Sequence, residues 1–337
     1  MDLEEKLIRD IQAENRLSLE RGLLIISGLQ TEREIETYSQ KLDRIYEGFI
    51  ERLTAKNPLS LSSTRNHLTR TMAEWLFEHL WNTKPRRCNS NFLLTDVIDA
   101  HLSSYVNQKV GSCVGLTSLY TVLGLREGLN LTILVSGSHL LNRLRIDSAH
   151  SCNIDNTDPL GFDCSINEEE FREYPPIKLV ANVLNSRGMA WERVDDLEKA
   201  REDYDKAIEV NPDYANAYNN RGNIKAKQKK YAEATTDYNR AIYLNGRFSE
   251  AYCNRGMARE NLGDFAGAVK DFDRAIELAP KYSDAYFRRG NVRERLGDYN
   301  GALLDYDRVL AIDPESENKV MNFRDHAATL QKARQRS

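Results

Sequence analysis

Four Arg-Gly pairs stand at Arg187-Gly188, Arg221-Gly222, Arg255-Gly256 and Arg289-Gly290, each 34 residues from the next. The positions around them keep the same step. Ahead of the glycines come Leu184, Tyr218, Tyr252 and Tyr286. Behind them come Ala200, Ala234, Ala268 and Ala302, then Tyr204, Tyr238, Phe272 and Tyr306, then Ala207, Ala241, Ala275 and Val309. Pro212, Pro280 and Pro314 close three units, and Gly246 takes that place in the second. A period of this length predicts a tandem array of two-helix units. Gly and Ala fall where helices cross, because only small side chains let backbones approach closely. The aromatic residues fill the space beside them. Gly263-Asp264 and Gly297-Asp298 are turn signals that split the hairpins, and proline ends the second helix in three of the four units. One hairpin cannot bury its own apolar face, so the units must stack.

This pattern resembles the tetratricopeptide repeat family over about 181–316, with many positions agreeing in phase in four successive units. The expected array is an all-α solenoid of four repeats over 177–316, followed by a capping helix in 317–337. The resemblance implies a concave groove lined by the first helix of each unit. Its lining falls on Asn182, Asn185 and Met189, then Asn216, Asn219, Asn223 and Lys227, then Cys253, Met257 and Asn261, then Asp284, Phe287, Asn291 and Arg295. Asparagine both donates and accepts, which suits the backbone of an extended peptide. Lys227 and Arg295 can hold a carboxylate. A protein or peptide partner is the expected ligand, and the competing reading is a solvated polar face. An adaptor taking an acidic C-terminus is a further alternative; it predicts binding that weakens on Lys227→Ala.

The first half reads differently. Leu3, Leu7, Ile8 and Ile11 have helical spacing. Thr31 with Glu34 forms a capping box opening a second helix through Ile50. Asn66 to Trp81 predicts a third helix, Pro85 to Asn91 a loop, and Leu93 to Leu102 a short helix. Then Gly111-Ser112-Cys113-Val114-Gly115-Leu116 leads into an apolar helix ending near Gly128. Three strands are expected after it: Leu129 to Val135, His139 to Leu144, and Cys152 to Thr157. This order sets Cys113 at a helix start, with His139 and Asp155 on neighbouring strands. A thiol there sits near partial positive charge, which favours the thiolate. An imidazole carries the proton, and a carboxylate behind it fixes the ring. The Cys113 N–H can help bind an oxyanion, with Asn107 or Gln108 as candidates for a second donor. Asp158 is the alternative acid, although it precedes Pro159 and looks like turn.

The segment is similar to the transglutaminase-like superfamily, and within it to the SirB1-like branch, over roughly 18–170. Glu20-Arg21-Gly22-Leu23-Leu24, Leu42-Asp43 and Asn91-Phe92-Leu93-Leu94-Thr95-Asp96-Val97-Ile98 carry that likeness. It implies an α+β papain/transglutaminase-like domain with a helical lead-in over 1–176, joined to repeats as the branch often is. Many members of the branch lack the cysteine, whereas this chain keeps Cys113, His139 and Asp155. Two functions therefore stay open. One is a binding protein with a silent site. The other is a cysteine-dependent amide hydrolase or acyltransferase whose repeats present the substrate.

Composition narrows the partners. The net charge of -4 gives no field favouring nucleic acid. The acidic start MDLEEKLIRD lacks the form of a signal peptide, and no apolar run is long enough to span a bilayer, so a soluble, cytoplasmic chain is expected. The five cysteines, Cys88, Cys113, Cys152, Cys164 and Cys253, have no framework spacing. His150, Cys152 and Cys164 fit no common zinc pattern. No phosphate loop or dinucleotide fingerprint occurs, so neither nucleotide, metal nor other cofactor is expected.

Overall fold

The computed structural model describes residues 3–12, 18–55, 65–83, 94–102, 112–136, 139–158, 161–168 and 171–336. The expected loop at Pro85 to Asn91, and Asn107, Gln108 and Gly111, lie outside them. The chain forms two compact units. One comprises Met1–Val194 and Lys206–Pro212, and the other Asp195–Asp205 and Asp213–Ser337.

The first unit begins with α1 (Leu3–Gln12), α2 (Leu19–Ile26), α3 (Glu32–Ala55), α4 (Arg65–Thr83) and α5 (Leu94–Leu102). The capping box ahead of α3 forms as expected. Glu34 N–H donates to Thr31 Oγ1 at 3.2 Å, and Thr31 N–H donates back to Glu34 Oε2 at 2.9 Å. α6 (Cys113–Arg126) runs through the middle of the unit. Gly115 to Gly124 is buried without a break, as a helix apolar on all sides must be. Tyr120 is fully buried, and its hydroxyl donates to the Ala73 carbonyl of α4 at 2.9 Å.

An antiparallel sheet follows, built from β1 (Leu131–Ser136), β2 (His139–Arg145), β3 (Ser151–Ile154) and β4 (Arg172–Tyr174), in the order β3-β2-β1-β4. Ser136 pairs with His139 at the tight end of the β1–β2 ladder, and Leu144 pairs with Cys152 across β2–β3. Leu131, Ile133, Leu140, Leu141 and Leu144 are buried. A Cβ on Gly124 of α6 would stand 2.6 Å from the Leu131 side chain, so this glycine lets the helix lie close to the sheet.

The first unit also takes in α7 (Leu179–Arg193), which sequence periodicity assigns to the repeats. The reason lies in its N-terminal face. Leu179, Val180, Val183 and Leu184 are buried, and Val180 meets the helix surface at Gly22 of α2. Arg187 donates to Glu4 of α1 at 2.8 Å and to the Ile26 carbonyl at 2.7 Å.

The second unit contains helical hairpins in series: α9 (Ala215–Lys227) with α10 (Tyr231–Leu244), α11 (Ser249–Asn261) with α12 (Phe265–Leu278), and α13 (Ser283–Arg295) with α14 (Tyr299–Ile312). α8 (Leu197–Val210) precedes them and α15 (Glu317–Arg336) follows. Gly263 and Gly297 take φ of +83° and +78°, the left-handed conformation their turns require. Asp264 and Asp298 then cap α12 and α14 by accepting from Gly267 and Gly301 N–H. Among the described residues, no helix is long and apolar enough to cross a membrane.

Candidate functional site

Cys113 opens α6, and its neighbour Ser112 is the N-cap, accepting from Gly115 N–H at 3.4 Å. The thiol is therefore at a helix N-terminus, half-buried. His139 is the first residue of β2, and Asp155 follows the last residue of β3. His139 Nε2 lies 2.9 Å from Asp155 Oδ2. The same ring makes a side-chain hydrogen bond with Cys113. The structure thus brings the three side chains into one chain of contacts. The acid that reaches the ring is Asp155, from a position just past the strand rather than within it.

Electrostatics follow this geometry. The Asp155 hydrogen bond, then the Cys113 hydrogen bond, push the His139 pKa up to about 10 against the opposing effect of burial. Burial alone raises the Asp155 pKa. Hydrogen bonds from His139 and Thr157 reverse that and hold the carboxyl below its usual range. Thr157 N–H donates to Asp155 Oδ1 at 2.9 Å and its hydroxyl at 2.5 Å. Sequence reasoning missed Thr157, though Asp-Asn-Thr is an Asx-turn pattern. It also missed Gly161. Asp155 N–H donates to the Gly161 carbonyl at 2.8 Å, and a Cβ at Gly161 would collide with the Asp155 backbone. Asp158 instead uses its backbone to shape that loop, its carbonyl accepting from Gly161 N–H at 3.0 Å. An imidazole held between a carboxylate and a thiol can take the thiol proton and return it to a leaving group.

His150 lies against Asp147 at 2.9 Å, and among the described residues no group of three or more His, Cys, Asp and Glu is placed to hold a metal.

In the second unit the expected groove residues separate by environment. Asn223 and Asn291 stand in phase and accept the hydroxyls of Tyr238 and Tyr306, each at 2.9 Å. Asn219 is buried and accepts from Asn254 at 3.0 Å. Met257 packs partly on the core of its hairpin. Arg295 is 59% exposed, which leaves its guanidinium accessible despite a 3.5 Å approach to Glu260. Phe287 is 7% exposed, packed with Tyr306 and set edge-on to Phe323 of α15 at 5.1 Å, so its ring belongs to the core that the last helix closes. Lys227 ends α9. Asn185 of α7, in the first unit, is buried and bonds Met189.

The repeat arginines have a role that periodicity alone did not reveal. Arg221, Arg255 and Arg289 each clasp a buried aspartate of their own hairpin, Asp237, Asp271 and Asp305, through two bonds of 2.6–3.0 Å. Each third nitrogen reaches back to the preceding second helix, at Asp205, Asn239 and Asp273. Arg324 of α15 ends the series on Asp307 at 2.6 Å.

Residues 195–229 match a family described as TPR repeat, and 215–248 and 253–317 match families described as tetratricopeptide repeat. No curated protein matches the chain. Among solved structures it is similar to the first such domain of Spaghetti bound to an HSP90 peptide, at 30% identity and TM-score 0.34, over 35% of this chain and 93% of that one. It is similar to the Arabidopsis OM64 repeat domain at 32% identity and TM-score 0.32, over 35% and 95%. It is also similar to MamA, at 21% identity and TM-score 0.39, over 45% and 88%. By its family matches and its 34-residue period, the C-terminal region of this chain is an array of tetratricopeptide repeats.

Proposed function

We propose that the chain is a protein-binding adaptor whose repeat array takes an extended peptide along its first helices. The observation that carries this reading is the constant phase of α9, α11 and α13. Asn223, Met257 and Asn291 recur at one helical position, with Lys227 and Arg295 one turn further on. Polar amides at that spacing suit a peptide backbone, and the cations suit its carboxylates. The test uses the full chain and a library of fluorescent peptides. Some peptides should bind, and Lys227→Glu with Arg295→Glu should abolish that binding while far-ultraviolet circular dichroism stays unchanged. A library with no binders, or binding that survives both substitutions, overturns the reading.

A second reading concerns the first unit and is favoured by the His139–Asp155 contact of 2.9 Å beside Cys113. In it, a papain/transglutaminase-like domain of the SirB1-like type acts on an amide. With the thiol proton already transferred to His139, the Cys113 sulfur attacks the amide carbonyl carbon. The C–N bond breaks, His139 protonates the departing amine, and a thioester remains. Water or a second amine then displaces Cys113, giving hydrolysis or acyl transfer. Asp155 orients the ring throughout. Iodoacetamide should label Cys113 at least about tenfold faster than Cys164, as expected for an activated thiol. His139→Ala should remove the advantage. Equal labelling of the two cysteines, unchanged by that substitution, eliminates the enzyme.

A further inference from the structure

Behind Cys113, His139 and Asp155 runs a second set of polar groups. Thr117, Thr121, Asn142 and Asn156 are each at 0% exposure. Asn156 Nδ2 donates to Asn142 Oδ1 at 2.8 Å, and Asn142 Nδ2 donates to Thr121 Oγ1 at 2.7 Å. The Thr121 hydroxyl donates to the Thr117 carbonyl at 2.6 Å. The Thr117 hydroxyl donates to the Leu140 carbonyl at 3.3 Å.

The path of this relay is informative. Thr117 and Thr121 lie one and two turns along α6 from Cys113. Leu140 and Asn142 lie on β2 just after His139. Asn156 directly follows Asp155. Each element that presents one of the three side chains is therefore gripped close to that side chain. Beside the relay that face is apolar, with Leu140 and Leu144 on the same side of β2 as Asn142 and both buried. Apolar packing holds elements together but has little directional preference. Buried amide and hydroxyl bonds are directional, and leaving one unmade costs about 1–3 kcal/mol. A relay of this kind resists small slides of helix along strand that apolar contacts tolerate.

We propose that Thr121, Asn142 and Asn156 are positioning residues whose buried relay fixes α6, β2 and the turn after β3 so that Cys113, His139 and Asp155 meet in reactive geometry. This rests on the thiol chemistry of the second reading above. The bonds act through Asp155's neighbour on one side and through the helix bearing Cys113 on the other.

The test is site-resolved iodoacetamide labelling of the full chain, with Cys164 as internal reference. In Thr121→Val and Asn156→Ala, Cys113 labelling should slow about tenfold or more, since small misplacements of reacting groups carry penalties of that size. Cys164 labelling should not change. Thr121→Ser keeps the hydroxyl and should restore the fast rate, which loss of packing alone would not allow. If Thr121→Val fails to fold by circular dichroism, Asn156→Ala, at the turn end of the relay, decides the matter. Folded variants that label Cys113 as fast as the unaltered chain overturn the relay and leave the thiol reading standing. Cys113 labelling no faster than Cys164 in the unaltered chain overturns both.

Discussion

His139 sits between a carboxylate and a thiol, and this fixes how its charge answers pH. The hydrogen bond to Asp155, followed by that to Cys113, raises its pKa from 6.5 to about 10. The folded chain therefore holds the imidazolium proton more firmly than the unfolded chain does. The resulting stability is fully present below about pH 6.5 and is lost as pH rises through about 10. The ring is 43% exposed, so solvent screening keeps the effect modest. Urea midpoints between pH 6.5 and 10 should fall more steeply for the unaltered chain than for His139→Gln. Parallel slopes would show that the charged pair contributes nothing to stability. Glycine supplies a second residue-scale test. A Cβ at Gly256 would stand 2.7 Å from the Phe272 ring, whereas one at Gly246 meets nothing within 4 Å. Gly256→Ala should cost about 1–3 kcal/mol by overpacking. Gly246→Ala should be near neutral, and similar losses in the two urea titrations would contradict a close helix crossing at Gly256.

Among the elements, the arginine series explains why hairpins recur in a fixed relation. Asp271 has a side chain 4% exposed and is held by Arg255 at 2.6 Å and by Arg259 at 2.7 Å. Removing one partner of a buried pair commonly costs about 3–5 kcal/mol. Because Arg259 stays, Arg255→Met should cost about 3 kcal/mol, at the lower end of that range. Arg255→Met with Asp271→Leu should recover part of it, and a double variant worse than the sum of the singles would refute the pairing. The sequence made the helical units legible, since small and aromatic residues repeat in step. It displayed this electrostatic series too, with Asp237, Asp271 and Asp305 each 16 residues after an arginine. Charged residues on a helix usually read as solvated faces, so the partnership stayed hidden. β4 was hidden for a different reason. Arg172-Glu173-Tyr174 is too short and too polar to show strand alternation, and its place comes from pairing with β1. The order of Cys113, His139 and Asp155 was visible as spacing. Thr157, Gly161 and the buried Thr121–Asn142–Asn156 relay were not, because each acts through backbone or through a residue distant in sequence. The place of α7 was also beyond periodicity, since Glu4, which meets Arg187, lies 183 positions away.

For the whole molecule, the two units differ in how far apart in sequence their contacts lie. In the array, helices α9 to α14 pack on their immediate neighbours, and its arginine bonds join residues 16 apart. The first unit closes long loops: Arg126 binds Glu20 across 106 positions, Arg70 binds Asp163 across 93, and Lys206 binds Glu4 across 202. Loop closure must precede the contacts that reward it, so non-local topologies fold more slowly than local ones. The full chain diluted from urea should therefore regain helix in two phases. Far-ultraviolet circular dichroism should show both. Trp75, Trp81 and Trp191 all precede Asp195, so tryptophan fluorescence reports on the first unit and should follow the slower phase. Arg126→Met, which removes the ties to Glu20 and Asp43, should retard that phase or lower its amplitude and leave the fast phase alone. One common rate for both signals would mean that the array waits for the first unit, and local contacts would then not set its folding speed.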